Sequence, residues 1–88
     1  MKVVYTKQFL KEISQITDKK LGSLVEVAIL EVKSAFNPSQ IRNFKKLKRH
    51  KFAYRIRVGD YRIGIYLNND IIEFSRFLHR KEIYRYFP

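Results

Sequence analysis

The run Tyr54-Arg55-Ile56-Arg57-Val58-Gly59-Asp60-Tyr61-Arg62-Ile63 leaves this chain little local freedom. Apolar and cationic residues alternate on both sides of a Gly-Asp pair. That is the pattern of two half-buried strands joined by a two-residue turn with glycine at its first central position. Such a turn sets Val58 opposite Tyr61, Arg57 opposite Arg62, Ile56 opposite Ile63 and Arg55 opposite Gly64. Side chains alternate between faces along a strand. Tyr54, Ile56, Val58, Tyr61, Ile63 and Ile65 therefore share an apolar face, and Arg55, Arg57 and Arg62 share the other. Like charges directly opposed across a ladder destabilise it. Folding alone rarely selects that arrangement, whereas a surface built to hold phosphate does.

The rest of the chain supplies elements around this hairpin. Val3 to Tyr5 reads as a short strand, and Thr6 as an N-cap. Phe9, Leu10, Ile13 and Ile16 recur at helical spacing, which predicts a first helix to about Gln15. Thr17 or Asp18 caps a second helix with the stripe Leu21, Leu24, Val25, Ala28, Ile29, Val32 and Phe36, stopped by Asn37-Pro38. Residues 39–51 read as a connector anchored by Phe44 and Leu47. Strands follow over about 53–58, 61–67 and 70–77, the last two joined through Asn68-Asn69. That turn pairs Leu67 with Asp70, Ile65 with Ile72, Ile63 with Phe74 and Arg62 with Ser75. It extends the core face with Ile72 and Phe74, and the arginine face with Ser75 and His79. His79 to Phe87 is expected to form a closing turn or short helix with Phe87 packed on the sheet. The order implies an α+β fold in which two N-terminal helices pack on one face of a small, mainly antiparallel four-stranded sheet. The other face is left open. A single domain over residues 1–88 is expected, with no internal repeat.

Composition narrows the partners. Lys and Arg number 19 against 8 Asp and Glu, a net charge of +11 and a pI near 10.1. A small domain so basic points to a polyanion. Nucleic acid is favoured over a membrane surface, because the cations concentrate in the strand-forming half and no long basic amphipathic helix is evident. The plain alternative is solubility conferred by lysine. The self-repulsion of such charge would also be relieved by an acidic protein partner. There is no cysteine, and the two histidines, His50 and His79, lack helical ligand spacing, so no metal or cofactor is expected. No apolar run reaches membrane-spanning length and no signal peptide is evident, which makes the cytoplasm the default location.

Arg55, Arg57, Arg62, His79, Arg80 and Tyr84 form the candidate site. Cleavage of RNA by its own 2′-hydroxyl needs a base, cations for the developing phosphorane and a proton for the leaving 5′-oxygen. Guanidinium forks suit the second task because they pair with phosphate oxygens and stay charged. Tyr84 can stack on a base or orient the hydroxyl. Imidazole is the side chain that exchanges protons near neutrality, which singles out His79. Lys45, Lys46, Lys48, Arg49 and Lys51 read as a phosphate track along bound RNA, or otherwise as a solvated loop. His50 falls in that loop, and the sequence assigns it no place.

At this point the chain resembles the RelE/ParE superfamily of toxin–antitoxin toxins over almost its whole length. The resemblance rests on Asn37-Pro38, Phe44-Lys45-Lys46-Leu47-Lys48, the Tyr54–Ile63 block and His79-Arg80-Lys81-Glu82-Ile83-Tyr84. It implies a small sheet with two N-terminal helices. It also implies metal-independent cleavage of messenger RNA in the ribosomal A site, leaving a 2′,3′-cyclic phosphate. It places Arg55 and Arg57 at two basic strand positions, Arg62 at a phosphate-stabilising position, Arg80 at the leaving-group arginine and Tyr84 near the active-site tyrosine. Arg55 stands where the best-known members carry a lysine thought to act as base, and an arginine stays protonated. Either His79 is then the base or acid, or cleavage relies mostly on charge and on ribosomal positioning of the RNA. The implied partners are a cognate antitoxin, acidic or amphipathic, and the ribosome with its message, with operator DNA reached only through the antitoxin. The alternative within the superfamily is a ParE-like poison of DNA gyrase that cleaves no RNA.

Overall fold

Thr6 and Asp18 start the helices by satisfying backbone donors that a helix N-terminus leaves free. The computed structural model describes residues 2–88. In it the Thr6 hydroxyl accepts from Phe9 N at 3.0 Å, and Asp18 Oδ1 accepts from Lys20 N and Leu21 N at 2.8 and 3.1 Å. The chain runs β1 (Lys2–Tyr5), α1 (Lys7–Ser14), α2 (Lys19–Ser34), a 3-10 turn (Pro38–Gln40), β2 (Phe44–Lys46), β3 (Ala53–Val58), β4 (Tyr61–Asn68), β5 (Ile71–His79) and α3 (Ile83–Tyr86).

The strands form one sheet in the order β1-β5-β4-β3-β2. It has five strands rather than the expected four, because Phe44–Lys46, read as connector, pairs antiparallel with β3. Three residues are too few to show a period in the sequence. β1 is parallel to β5, with Val3 beside Ile72, and the other pairings are antiparallel. Phe9 of α1, Val25 and Val32 of α2, and Ile56, Ile63, Ile65, Ile72 and Phe74 of the sheet are all buried in one core. The helices cover the apolar face that alternation defines. Phe36 is a correction: α2 ends at Ser34, and Phe36 projects outward at 88% exposure. Leu24, also assigned to the buried stripe, is largely exposed.

The β3–β4 hairpin has the expected register, from Val58↔Tyr61 to Arg55↔Gly64, and Gly59 takes a φ of 59°. The β4–β5 hairpin differs. The turn residues are Asn69 and Asp70, so Leu67 faces Ile72 and Ile65 faces Phe74. This shift of two residues keeps the faces unchanged. Between Gly64 and Ile65 the register then jumps, leaving Ser75 as an extra residue on β5. A bulge of one residue sends everything beyond it to the opposite face. Arg62 therefore faces Leu78 rather than Ser75, and His79 faces Tyr61 on the helix-covered side.

The far face is not wholly open. Ala53, Ile83 and Phe87 are buried there in a second, smaller cluster with Leu47 and Leu78. Phe87 lies over Gly64 so closely that a Cβ at Gly64 would sit 2.7 Å from the ring. Two carboxylates tie the layers together. Glu12 of α1, 9% exposed, accepts from Arg76 Nη2 at 2.7 Å and from Phe77 N at 2.7 Å, which occupies the edge of β5 beyond its contact with β1. Glu31 of α2 accepts from Arg42 N at 2.7 Å and pairs with the Arg42 side chain at 3.2 Å.

Candidate nucleic-acid interface

Alternation along β3 and β4 delivers Arg55, Arg57 and Arg62 to the face away from α1 and α2, with Arg57 and Arg62 directly opposed. β2 adds Lys45 opposite Arg55, a second cationic pair on the same face, across the β2–β3 ladder. The local bonds tether these side chains without neutralising them. Arg62 Nη1 donates to the carbonyls of Gly59 and Tyr61 at 3.0 and 2.9 Å, and Arg55 Nη1 donates to the Asn43 carbonyl at 3.2 Å. Among the described residues, no carboxylate lies within 4.0 Å of Arg55, Arg57 or Arg62. Arg80 N donates to the Asp60 carbonyl at 2.8 Å, and its Nε lies 3.9 Å from Asp60 Oδ1. The Gly59-Asp60 turn thus carries Arg80 to the hairpin, where Arg57, Arg62 and Arg80 line a common depression.

The guanidinium of Arg62 is held below the usual arginine value. Partial burial is the largest cause. The nearby positive charge of Arg55 adds to it, followed by Arg57 and Arg80, while Tyr84 acts in the opposite sense. The positive charges of Arg55, Arg57 and Arg80 thus act on Arg62 in the same sense as its partial burial. A phosphate diester placed there gains from each of them.

A cleft of about 390 Å³ is lined by Lys45, Lys46, Lys48, His50, Arg55 and Tyr84, together with Leu47, Phe87 and Pro88. Arg55 contributes to it from the sheet and Tyr84, a residue 59% exposed, from α3. Of the expected phosphate track, Lys45, Lys46 and Lys48 reach the cleft. Arg49, at φ 68°, and Lys51 are exposed on the loop outside its lining. Three residues of β2 show no periodicity, so nothing in the sequence fixes where the following turn and its His50 point.

His79 is not brought to the arginines. Its ring meets Tyr61 edge-on at 5.3 Å, its Nδ1 accepts from Lys81 N at 3.1 Å, and it lines a hollow with Glu12, Ile16 and Leu21 beside the helices. The physical reason is the Ser75 bulge. Among the described residues, no group of three or more His, Cys, Asp or Glu side chains is gathered to hold a metal ion. No described helix is long and apolar enough to cross a membrane.

Comparison with known proteins follows the same outline. No protein-family model matches the chain. It is 40% identical over 89 residues to Toxin RelE3 of Methanocaldococcus jannaschii, covering 100% of both chains. Its fold matches a chain of a RelB-RelE antitoxin-toxin complex from Methanococcus jannaschii at a TM-score of 0.77 and 38% identity, over 97% of this chain and 99% of that one. A RelE-RelB complex from Pyrococcus horikoshii OT3 matches at a TM-score of 0.72 and 21% identity, over 93% and 97% of the two chains. The YoeB dimer from Staphylococcus aureus matches at 0.70 and 16%, over 90% and 95%, and at those identities the likeness speaks for the fold alone. On full-length similarity to a RelE toxin, with the same architecture, the chain belongs to the RelE family of toxins.

Proposed function

We propose that this protein is the toxin of a toxin–antitoxin pair and acts as an endoribonuclease on translated messenger RNA, arresting translation and growth in the cytoplasm. The observation that carries this reading is the convergence of Arg55, Arg57, Arg62 and Arg80 on one face, with no carboxylate paired to the three sheet arginines among the described residues. Tyr84 stands at the neighbouring cleft. Scission proceeds by attack of the 2′-oxygen on the adjacent phosphorus with departure of the 5′-oxygen. Charge accumulates on the non-bridging oxygens, and fixed cations lower that barrier without reorganising. Arg55, Arg57 and Arg62 hold the phosphate, Arg80 faces the leaving side, and Tyr84 stacks on a base. The guanidinium groups supply the positive charge, so the mechanism is metal-independent. The ribosome supplies the geometry of the message, and Lys45, Lys46 and Lys48 follow its backbone into the cleft, with Arg49 and Lys51 contacting it further out.

A cognate antitoxin is the second partner. Support comes from relatives whose structures are complexes of RelE with RelB. An acidic or amphipathic segment over the arginine face would offset a net charge of +11. Operator DNA is reached only through that antitoxin. The test is induction of the wild type beside Arg80→Ala in growing cells, with primer extension on an abundant message. Growth arrest and cuts inside translated codons are expected for the wild type, and both are expected to vanish in the variant. Arrest with intact messages and accumulated DNA breaks would replace this reading with gyrase poisoning.

A further inference from the structure

With His79 on the helix side of the sheet, neither the arginines nor Tyr84 supply a proton acceptor for the 2′-hydroxyl. Guanidinium and ammonium groups hold their protons at neutral pH, and a phenol holds its own. An imidazole takes up and gives back a proton near neutrality. The cleft contains one. His50 stands on the β2–β3 turn, where the left-handed backbone at Arg49 redirects the chain, and its ring lines the same cleft as Arg55 and Tyr84. It is exposed on that turn. That is the state of a group free to meet a substrate hydroxyl. The ionisable residues lining the cleft with it are Lys45 and Lys46 of β2, Lys48 of the turn, Arg55 of β3, Tyr84 of α3 and Pro88, the last residue, with its main-chain carboxylate. Four of these are cations that draw a phosphate diester to the ring.

We propose that His50 is the general base of the cleavage reaction, an assignment that rests on the ribonuclease reading above. Its neutral imidazole takes the proton of the 2′-hydroxyl while the 2′-oxygen forms its bond to phosphorus. The bond from phosphorus to the 5′-oxygen breaks, and that oxygen takes a proton from a water molecule. The imidazolium then returns its proton to solvent. The products are a 2′,3′-cyclic phosphate and a free 5′-hydroxyl, with no net change in the enzyme. His50 thereby fills the role that Arg55, a permanently charged residue on the same cleft, cannot perform.

The experiment is single-turnover cleavage of a message held in the A site of programmed ribosomes, with the full-length wild type, His50→Ala and His50→Gln, across roughly pH 5 to 8. Both variants are expected to lose roughly 10²-fold or more in the cleavage rate at saturating ribosome. Their KM should change little, and the rise in wild-type rate with pH should be absent from their profiles. Free imidazole in the buffer should restore part of the His50→Ala rate. Because the ring is exposed, circular dichroism of both variants should match the wild type. Variants that cleave at the wild-type rate with the wild-type pH profile overturn the assignment and leave the ribonuclease reading standing, as does a loss confined to KM. A wild type that leaves the message intact removes the ribonuclease reading itself, and this assignment with it.

Discussion

Glu31 shows how a single carboxylate in this molecule acts through a backbone donor. Its pKa is lowered chiefly by the hydrogen bond from Arg42 N, against the opposing effect of burial, with the Arg42 side chain contributing further. The folded value therefore lies below the ordinary 4.5. The resulting stability is fully present above that value and is lost as pH falls through the lowered one. Glu31→Gln is expected to reduce unfolding free energy by about 1 kcal/mol near neutral pH. The difference from the wild type should shrink as pH drops below 4.5, in urea titrations at a series of pH values. At this scale legibility depended on sequence distance. Arg55, Arg57 and Arg62 follow from alternation within one hairpin. Glu12 and Arg76, joined at 2.7 Å, lie on separate elements, and neither residue's surroundings in the sequence mark the pair. His50 was visible as a residue but not as a position.

Among elements, β5 illustrates how one inserted residue redirects chemistry. The turn-based reading paired β4 and β5 two residues out of register, which left every side chain on its correct face as far as Phe74. Ser75 then broke the alternation. Gly64 opposite the irregular region is the only local hint, since a glycine inside a strand accompanies bulges and close approaches. Here it accompanies both. Gly64 leaves room for the Phe87 ring, which fixes α3 and so Tyr84 to the sheet. Gly64→Ala is expected to lift that ring and reduce stability by about 2 kcal/mol, the worth of a buried phenylalanine. Hydrogen exchange should locate the change, with the Phe87 amide, bonded to the Ile83 carbonyl at 2.8 Å, losing protection before the β3–β4 ladder does. An unchanged Phe87 amide would mean that α3 is held by something else. The helices were the most legible elements. Thr6 and Asp18 cap them as expected, and the α2 stripe misled at Leu24 and at its outer end, Phe36, because a stripe records apolar spacing and not how far each residue reaches into the core.

For the molecule as a whole, 19 cations against 8 carboxylates were readable at once, and they set the strength of association with any polyanion. Binding to a single-stranded RNA is expected to weaken steeply with potassium chloride, as released counterions are lost as a driving force. Lys45→Ala and Lys48→Ala should each lower the log–log salt slope by roughly 0.7 if each side chain neutralises one phosphate. Fluorescence anisotropy over a salt series measures this, and slopes equal to that of the wild type would place those lysines off the RNA path. The mixed topology has a consequence for biosynthesis. β1 is made first, yet its sole partner in the sheet is β5, near the end of the chain. Arg80 and Tyr84 emerge later still. Until β5 and α3 have been made, a nascent chain has neither a closed sheet nor the last components of the arginine face, so the site is acquired late in the order of synthesis.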